Sequence, residues 1–270
     1  MDRQYQFNYV LRGDRNLPKV LFLHGFMGSC HDFAETIANL PQFCCLAIDL
    51  PDHGQTKIKQ TNYQMSDVAK AIITLLLELD FHRCSLVGYS MGGRIALYLA
   101  IHFPQYFHGL VLESASAGLS SQLERDRRIV RDLQLARQLE SGSLADFLQR
   151  WYANPLFNSF REHPCYQQAI VKRLNNHPQQ LARSLRQIGL GSQPNLTPLL
   201  SSIQLPLLLI VGELDRKFVA IGQKIANSCP QADLIIVKNT GHNVHFEHHK
   251  KFARLLQHFV AEVATTVGYN

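Results

Sequence analysis

Short apolar runs rich in β-branched residues alternate along the chain with longer stretches in which apolar residues recur at helical spacing. This alternation is typical of strands joined by crossover helices in a mainly parallel sheet with helices on both faces. Buried parallel strands are apolar on both faces, as the runs LLLIV and LIIV are. The pattern therefore predicts an α/β fold. Its strands are predicted at residues 20–23, 44–48, 85–87, 110–112, 207–211 and 234–237.

Three of the longer stretches have clear helical patterns. They predict helices over residues 66–79, 91–102 and 246–263. In the first of these, the apolar residues share one face and Ser66 is the predicted N-cap.

The rhythm changes between about residue 120 and residue 194, where strand-like runs stop and Arg/Gln/Leu-rich helical patterns take over. This change indicates a helical insertion into one α/β domain. We therefore predict a core of residues 1–120 and 195–270 and an inserted helical cap of residues 121–194.

Composition places the chain among globular proteins, because 270 residues with 46% hydrophobic and 18% charged side chains can build a large core. The chain shows neither a signal peptide nor about 18 consecutive apolar residues, so we expect a cytoplasmic protein without a membrane partner. Its six cysteines form no C-x-x-C motif, which predicts reduced thiols without disulfides or zinc.

The net charge of +6 is concentrated in one part of the chain. Residues 121–195 hold eleven Arg and Lys against six Asp and Glu, a balance of +5, and the remainder carries only +1. A single basic segment disfavours nucleic acid, since no nucleic-acid motif accompanies it. A basic lid over a site instead implies an anionic small molecule.

The motif Gly88-Tyr-Ser90-Met-Gly92 follows the apolar run CSLV and precedes the helical run GRIALYLAIHF. A serine on such a strand-to-helix turn is held at the edge of the sheet, and the glycines remove side chains that would crowd it. The amides after it lie at a helix N-terminus, which favours developing negative charge. The alternative is a chance Gly-Ser-Gly turn, but the surrounding strand and helix make Ser90 the predicted reactive residue.

A serine hydroxyl needs a histidine base, and that histidine needs a carboxylate that fixes its tautomer. Asp215 follows the apolar run LLLIVGEL and His242 follows LIIVKNTG. Each is therefore predicted on the loop after a strand, where open parallel sheets bind ligands. We predict a catalytic triad of Ser90, Asp215 and His242.

Two alternatives to this triad stay open. Glu213 is a rival carboxylate, although Asp215 lies further past the strand end. The nearby His245, His248 and His249 could form a metal site, but His248 and His249 fit the solvated face of the last helix better. We expect no metal ion.

The loop after the first core strand reads HGFMG at residues 24–28. In a chain that also has a G-x-S-x-G turn, this loop supplies the second backbone N–H group of an oxyanion hole. We predict that the N–H groups of Phe26 and Met91 form this hole. The alternative is that the loop is only a glycine-rich connection.

The chain resembles the α/β-hydrolase family in the order of five motifs, HGF, DLPDHGQT, LVGYSMGGRIAL, LLLIVGELD and NTGHNVH. The resemblance covers nearly the whole chain, and residues 121–195 match the helical cap. More narrowly, the chain resembles the lyases of menaquinone and phylloquinone biosynthesis that eliminate pyruvate from 2-succinyl-5-enolpyruvyl-6-hydroxy-3-cyclohexene-1-carboxylate. The motifs behind this are GYSMGGR, ERDRRIVRD, RWYANPLF, KRLNN, GELDRKF and GHNVHFE.

The narrower resemblance implies that three arginines bind the carboxylates of the substrate. Transferred by motif, they are Arg94, Arg128 and Arg173, with Tyr89 and Trp151 lining the site. A planar guanidinium matches a carboxylate with two hydrogen bonds, and Arg94 lies one helical turn after the triad serine. The alternatives are a solvated helix face for each cap arginine and a place in the cap core for Trp151.

The resemblance also implies that the triad serine acts as a base and that no cofactor is required. The family loop LPGHG has glycine where this chain has Asp52, so the sequence does not settle the backbone conformation of this loop. The alternatives are a serine hydrolase of an ester, thioester or carbon–carbon bond in an anionic substrate and a silent binding module. The filled triad disfavours the binding module. The predicted partner is a small polycarboxylate, and the sequence does not reveal the oligomeric state.

Overall fold

The computed structural model describes residues 4–266, in which strands and helices alternate through most of the chain. The strands are β1 (Tyr5–Gln6), β2 (Tyr9–Arg12), β3 (Lys19–Leu23), β4 (Cys44–Ile48), β5 (Lys57–Ile58), β6 (Cys84–Tyr89), β7 (Phe107–Glu113), β8 (Leu207–Gly212) and β9 (Ala232–Val237). The helices are α1 (Ala34–Ala38), α2 (Met65–Glu78), α3 (Met91–His102), α4 (Gln122–Ser141), α5 (Leu144–Tyr152), α6 (Asn158–Glu162), α7 (Tyr166–Arg173), α8 (Pro178–Ile188), α9 (Arg216–Ser228), α10 (Val244–Glu247) and α11 (His249–Thr266).

Seven strands form a central sheet in the order β2-β4-β3-β6-β7-β8-β9. β2 pairs with β4 in the antiparallel direction, and the other neighbours in this sheet are parallel. β1 and β5 form a separate antiparallel pair. The predicted α/β class with a mainly parallel sheet is therefore confirmed.

All six predicted strands are present, and most extend one to three residues beyond their predicted ends. They were predictable because they are apolar on both faces, and β4, β6 and β8 are buried along their whole length. The sequence missed β1, β2 and β5, which are short and only partly buried and so lack an apolar run.

Two predicted helix boundaries are wrong. Helix α2 begins directly after Gln64, so Ser66 is not its N-cap. The backbone N–H of Gln64 donates to the carboxylate of Asp67 at 2.8 Å, and the Gln64 side chain accepts the backbone N–H of Asp67. This capping box sets the start of the helix. The helix predicted at 246–263 is divided at His248, whose φ of −140° is not helical.

Residues 121–194, all of which the structure describes, contain helices α4 to α8 and no strand. Their apolar faces meet in a cluster that includes Phe147, Phe160 and Leu181. Met27, from the loop after β3, is fully buried in the same cluster, so this helical segment packs against the carboxyl ends of the strands. None of the helices in the described part of the chain is both long and apolar enough to cross a membrane.

Candidate active site

Ser90 lies on the sharp turn between β6 and α3. Its φ of 49° and ψ of −106° fall in a region that residues other than glycine rarely occupy. The Ser90 N–H donates to the carbonyl oxygen of Glu113 at 2.9 Å and so fixes the turn to β7. A Cβ atom at Gly92 would overlap the carbonyl of Leu23. A Cβ atom at Gly88 would lie 2.6 Å from the carbonyl oxygen of Gly92. Close backbone approach therefore requires both glycines.

His242 lies between Ser90 and Asp215, in the arrangement that the sequence predicts. Its Nδ1 is 2.6 Å from Asp215 Oδ2, and its Nε2 is 3.3 Å from Ser90 Oγ. Because an ionised carboxylate only accepts hydrogen bonds, Nδ1–H is the donor, and Nε2 is left to accept the serine hydroxyl. The geometry therefore allows the histidine to take the serine proton.

Asp215, and not Glu213, faces this histidine. Asp215 is buried at the start of α9, where its Oδ1 accepts the N–H of Phe218 at 3.2 Å. Glu213 is exposed and accepts the N–H of Asn239 at 3.0 Å. The capping bond orients the Asp215 carboxylate, which supports its assignment over Glu213.

The other histidines of this segment lie in different surroundings. His245 is buried against Glu113, with its Nδ1 at 2.7 Å from Oε2 and its backbone N–H donating to Oε1 at 2.9 Å. His248 is exposed. Within residues 4–266, no group of three or more His, Cys, Asp or Glu side chains is placed to hold a metal ion. Sequence reasoning missed the pair of Glu113 and His245, which are 132 positions apart.

Phe26 and Met91, the predicted oxyanion donors, border the same cavity as the serine. Met91 is the first residue of α3, so its N–H is among the helix amides that lack an intrahelical partner. His24 stiffens the other loop, because its Nε2 accepts the N–H of Leu50 at 2.9 Å and its Nδ1 contacts the carbonyl oxygen of Gly25 at 2.7 Å. Burial lowers the pKa of His24 and so favours the neutral ring that this pattern needs.

A cavity of about 480 Å³ lies beside Ser90 and His242. It is bounded by α3, by loops at the carboxyl ends of the strands and by the helical segment of residues 121–194. Among residues 4–266, no aspartate or glutamate lines it. The cationic side chains in its walls are Arg94, Arg128, Arg131, Arg150 and Lys217. Such a lining attracts anions.

Arg94 and Arg128, two of the predicted substrate ligands, both reach this cavity. Arg94 donates to neutral acceptors, the carbonyl oxygen of Ile188 at 3.1 Å and Oε1 of Gln193 at 2.9 Å. Burial and then repulsion from Arg128 lower the pKa of Arg94 to about 10, which leaves it protonated at neutral pH. Arg128 Nε lies 2.8 Å from Asp132 Oδ1, one turn along α4.

Arg173 and Tyr89, the two other predicted polar ligands, are not among the residues that line the cavity. Arg173 Nη1 lies 2.6 Å from Asp32 Oδ1, and both side chains are buried. A buried guanidinium needs such a countercharge, and Asp32 supplies it. Tyr89 donates its hydroxyl to Asn243, and its ring centroid lies 5.4 Å from that of His242. Both side chains are therefore engaged with other protein groups in this structure.

Trp151 lines the cavity from α5 and also packs among the aromatic residues of the helical segment. Its ring centroid lies 5.3 Å from Phe26 and 5.9 Å from Phe147. The two roles weighed for this tryptophan, site wall and helical core, are thus compatible.

Three cationic residues of the cavity were not predicted, namely Arg131, Arg150 and Lys217. Arg131 follows Arg128 by three positions on α4, and Lys217 lies in the first turn of α9, two residues after Asp215. The spacing on α4 was a usable signal, because residues three apart share a helix face. The sequence did not reveal which face of each helix points inward.

Asp52 has a φ of 64°, so the loop after β4 keeps the left-handed backbone that suits glycine. Its carboxylate is buried and accepts from the guanidinium of Arg183 on α8, with Nε at 2.8 Å from Oδ2. The hydroxyl of Tyr63 donates to the same oxygen at 2.6 Å. The buried aspartate is therefore paired at a left-handed backbone position, and it links this loop to the helical segment.

Comparison with known proteins agrees with this geometry. A model of the α/β-hydrolase fold family matches residues 18–249. The chain belongs to the α/β-hydrolase fold family.

Within that family the chain is similar to a particular synthase. It is 31% identical to the 2-succinyl-6-hydroxy-2,4-cyclohexadiene-1-carboxylate synthase of Serratia proteamaculans (strain 568), over 92% of this chain and 95% of that protein. A Bacillus subtilis (strain 168) protein provisionally given the same name is 36% identical, over 90% of each chain. The solved structure of MenH from S. aureus has 32% sequence identity and a TM-score of 0.89, and the match covers 94% of this chain and 98% of that one. These matches confirm the narrower resemblance.

Proposed function

We propose that this chain is a carbon–oxygen lyase that eliminates pyruvate from 2-succinyl-5-enolpyruvyl-6-hydroxy-3-cyclohexene-1-carboxylate to give 2-succinyl-6-hydroxy-2,4-cyclohexadiene-1-carboxylate. The observation that carries the proposal is the cavity beside Ser90 and His242, where the described part of the chain contributes five cationic side chains and no carboxylate to the walls. This substrate has succinyl, enolpyruvyl and ring carboxylates, and such a cavity suits them. The synthases similar to this chain are named for the same product.

In the proposed reaction Ser90 is the base. His242, oriented by Asp215, takes the hydroxyl proton while Ser90 Oγ removes an acidic proton from a ring carbon of the substrate. The resulting anion then collapses: the electron pair of that carbon–hydrogen bond forms the 2,3 double bond, the 3,4 double bond moves to the 4,5 position, and the carbon–oxygen bond from C5 to the enolpyruvyl group breaks. The proton held by His242 passes to the departing enolate, which leaves as pyruvate. Serine and histidine then have their starting protons again.

The negative charge that develops on the substrate needs stabilisation before the carbon–oxygen bond breaks. We assign this to the N–H groups of Phe26 and Met91, which belong to residues that border the cavity. Arg94 and Arg128 are assigned to carboxylates of the substrate because both side chains line the cavity. The helical segment of residues 121–194 acts as the cap that covers the site and limits the access of water.

The proposed partner is a small polycarboxylate and not a nucleic acid, because the cationic side chains line a cavity beside the triad serine. The six cysteines are free thiols, five of them buried. Free thiols suit a reducing compartment, so we place the enzyme in the cytoplasm. Each proposed step uses a side chain or a backbone amide of this chain.

The test is to incubate the purified protein with the enolpyruvyl substrate and to follow pyruvate by a coupled assay. Ser90→Ala is expected to lower kcat by about a thousandfold or more, because it removes the base. Ser116→Ala, which removes another hydroxyl from the cavity wall, is the matched control and should retain most of the activity. Absence of pyruvate release by the wild type, or near-normal turnover by Ser90→Ala, would contradict the proposal.

The same triad could instead serve a serine hydrolase that forms a covalent acyl-enzyme. The two functions separate in one experiment with an activated ester. A stoichiometric burst of the alcohol product, together with no pyruvate from the enolpyruvyl substrate, would favour the hydrolase. The five cavity cations support the lyase, because hydrolysis of a neutral ester does not require them.

A further inference from the structure

Glu113 is hydrogen-bonded to both segments that carry the reacting pair, to the Ser90 turn through its backbone and to the segment after His242 through its side chain. It is the last residue of β7 and is fully buried. Its carbonyl oxygen accepts the N–H of Ser90 at 2.9 Å. Its carboxylate accepts the backbone N–H of His245 at 2.9 Å and contacts the ring Nδ1 of the same histidine at 2.7 Å. The turn that carries the serine and the segment that carries His242 are therefore both bonded to Glu113.

Both Ser90 and His242 need neighbouring bonds that hold them in position. Ser90 has a strained φ of 49°, which persists only where neighbouring bonds hold it. His242 lies in the irregular connection between β9 and α10, three residues before His245. The 3.3 Å between His242 Nε2 and Ser90 Oγ is at the long end for a hydrogen bond, so a small displacement of either group would break it.

The surroundings of the pair indicate a directional role. The ring of His245 packs against the aromatic rings of Phe33, at 4.4 Å between centroids, and Tyr89, at 4.8 Å. A carboxylate in such apolar surroundings costs free energy that a well-packed apolar pair would avoid. What the polar pair adds is a fixed geometry, because its hydrogen bonds permit one orientation of the segment that follows His242.

We infer that Glu113, acting through His245, is a positioning residue that sets the distance between Ser90 and His242. The inference depends on the proposed function only in taking Ser90 and His242 as the reacting pair. It applies equally to a lyase and to a hydrolase.

The test uses Glu113→Gln, His245→Asn and the double variant, each with the full chain. Two rates are measured, kcat for pyruvate release and the rate of Ser90 labelling by a serine-directed phosphonate, which does not need the natural substrate. Asp49→Asn is the matched control, because Asp49 is a carboxylate of similar burial that accepts the backbone N–H of Cys30 at 2.6 Å. Melting temperatures show how far each variant is destabilised.

Both single variants are expected to lower kcat and the labelling rate by about 10- to 100-fold with KM changed less than about twofold, since small misplacements of reacting groups have effects of this size. If Glu113 acts through His245, the double variant is expected to be no slower than the slower single variant. Asp49→Asn should have a lower melting temperature than the wild type without a comparable fall in its labelling rate. If Glu113→Gln does not fold, His245→Asn tests the pair from its other end.

Two results would overturn the inference. One is that the single variants are labelled at the same rate as Asp49→Asn when their melting temperatures have fallen by the same amount. The other is a double variant whose losses multiply, which would mean that Glu113 and His245 act separately. A wild-type protein that is labelled but releases no pyruvate would refute the lyase function. The positioning role of Glu113 would then be tested by the labelling rates alone.

Discussion

Replacing Arg94 by alanine tests the proposed reading of the cavity most directly. Both hydrogen bonds of Arg94, to Ile188 and Gln193, use Nη1, so Nη2 and Nε remain for a substrate carboxylate. Two charge-assisted bonds of roughly 1.5–3 kcal/mol each, reduced because the cavity is open to solvent, give a loss of about 2–4 kcal/mol. At about 1.4 kcal/mol per tenfold change, kcat/KM should fall roughly 30- to 1000-fold.

The assay is pyruvate release at several substrate concentrations, with Arg94→Lys and Arg137→Ala alongside. Arg94→Lys keeps the charge but loses the two-pronged geometry, so an intermediate loss is expected. Arg137 is an exposed arginine of α4 outside the cavity wall, so its replacement removes the same charge without touching the site. If Arg94→Ala lost no more activity than Arg137→Ala, the assignment of Arg94 to the substrate would be refuted.

Three further predictions concern the triad and the buried ion pairs. Asp215→Asn frees the histidine ring to adopt the wrong tautomer, so kcat should fall by about 10³- to 10⁴-fold, and a loss below about tenfold in steady-state assays would contradict the triad. Arg183→Ala leaves the carboxylate of Asp52 buried without its cation, so the free energy of unfolding in urea should fall by about 2–4 kcal/mol, and an unchanged midpoint would count against the pairing. Although burial opposes its charge, Arg173 holds the pKa of Asp32 below its usual 3.8. The stability from this pair is therefore present above about pH 4 and lost as the pH falls further. Asp32→Asn should melt at a lower temperature than the wild type near pH 7, and the two melting temperatures should approach each other near pH 3. An equal difference at both pH values would exclude this pH dependence.

The parts of this protein that could be predicted from its sequence are those in which a local pattern carries the structural information. The strands of the sheet are apolar runs because both of their faces are buried. Ser90, Asp215 and His242 each follow such a run, and parallel strands bring their carboxyl ends to one edge, so their juxtaposition followed from the pattern.

The parts that could not be predicted depend on contacts between distant segments. The pairing of Glu113 with His245 depends on where the connection after β9 folds back over β7, and no local pattern reports it. Arg173 was assigned from its motif in the same way as Arg94 and Arg128, but its side chain pairs with the buried Asp32 of another loop, which its motif does not indicate. The start of α2 differs from its prediction because serine is the commoner cap, whereas this helix begins with a capping box built by Gln64 and Asp67.

The buried pair of Asp52 and Arg183 has a consequence for how such chains diverge. An aspartate at a backbone position suited to glycine is balanced here by a cation from a helix 131 positions later. Substitutions at the two positions should therefore be coupled in evolution. Relatives with an acidic residue in this loop are expected to keep arginine at the matching helix position, and relatives with glycine are free to lose it.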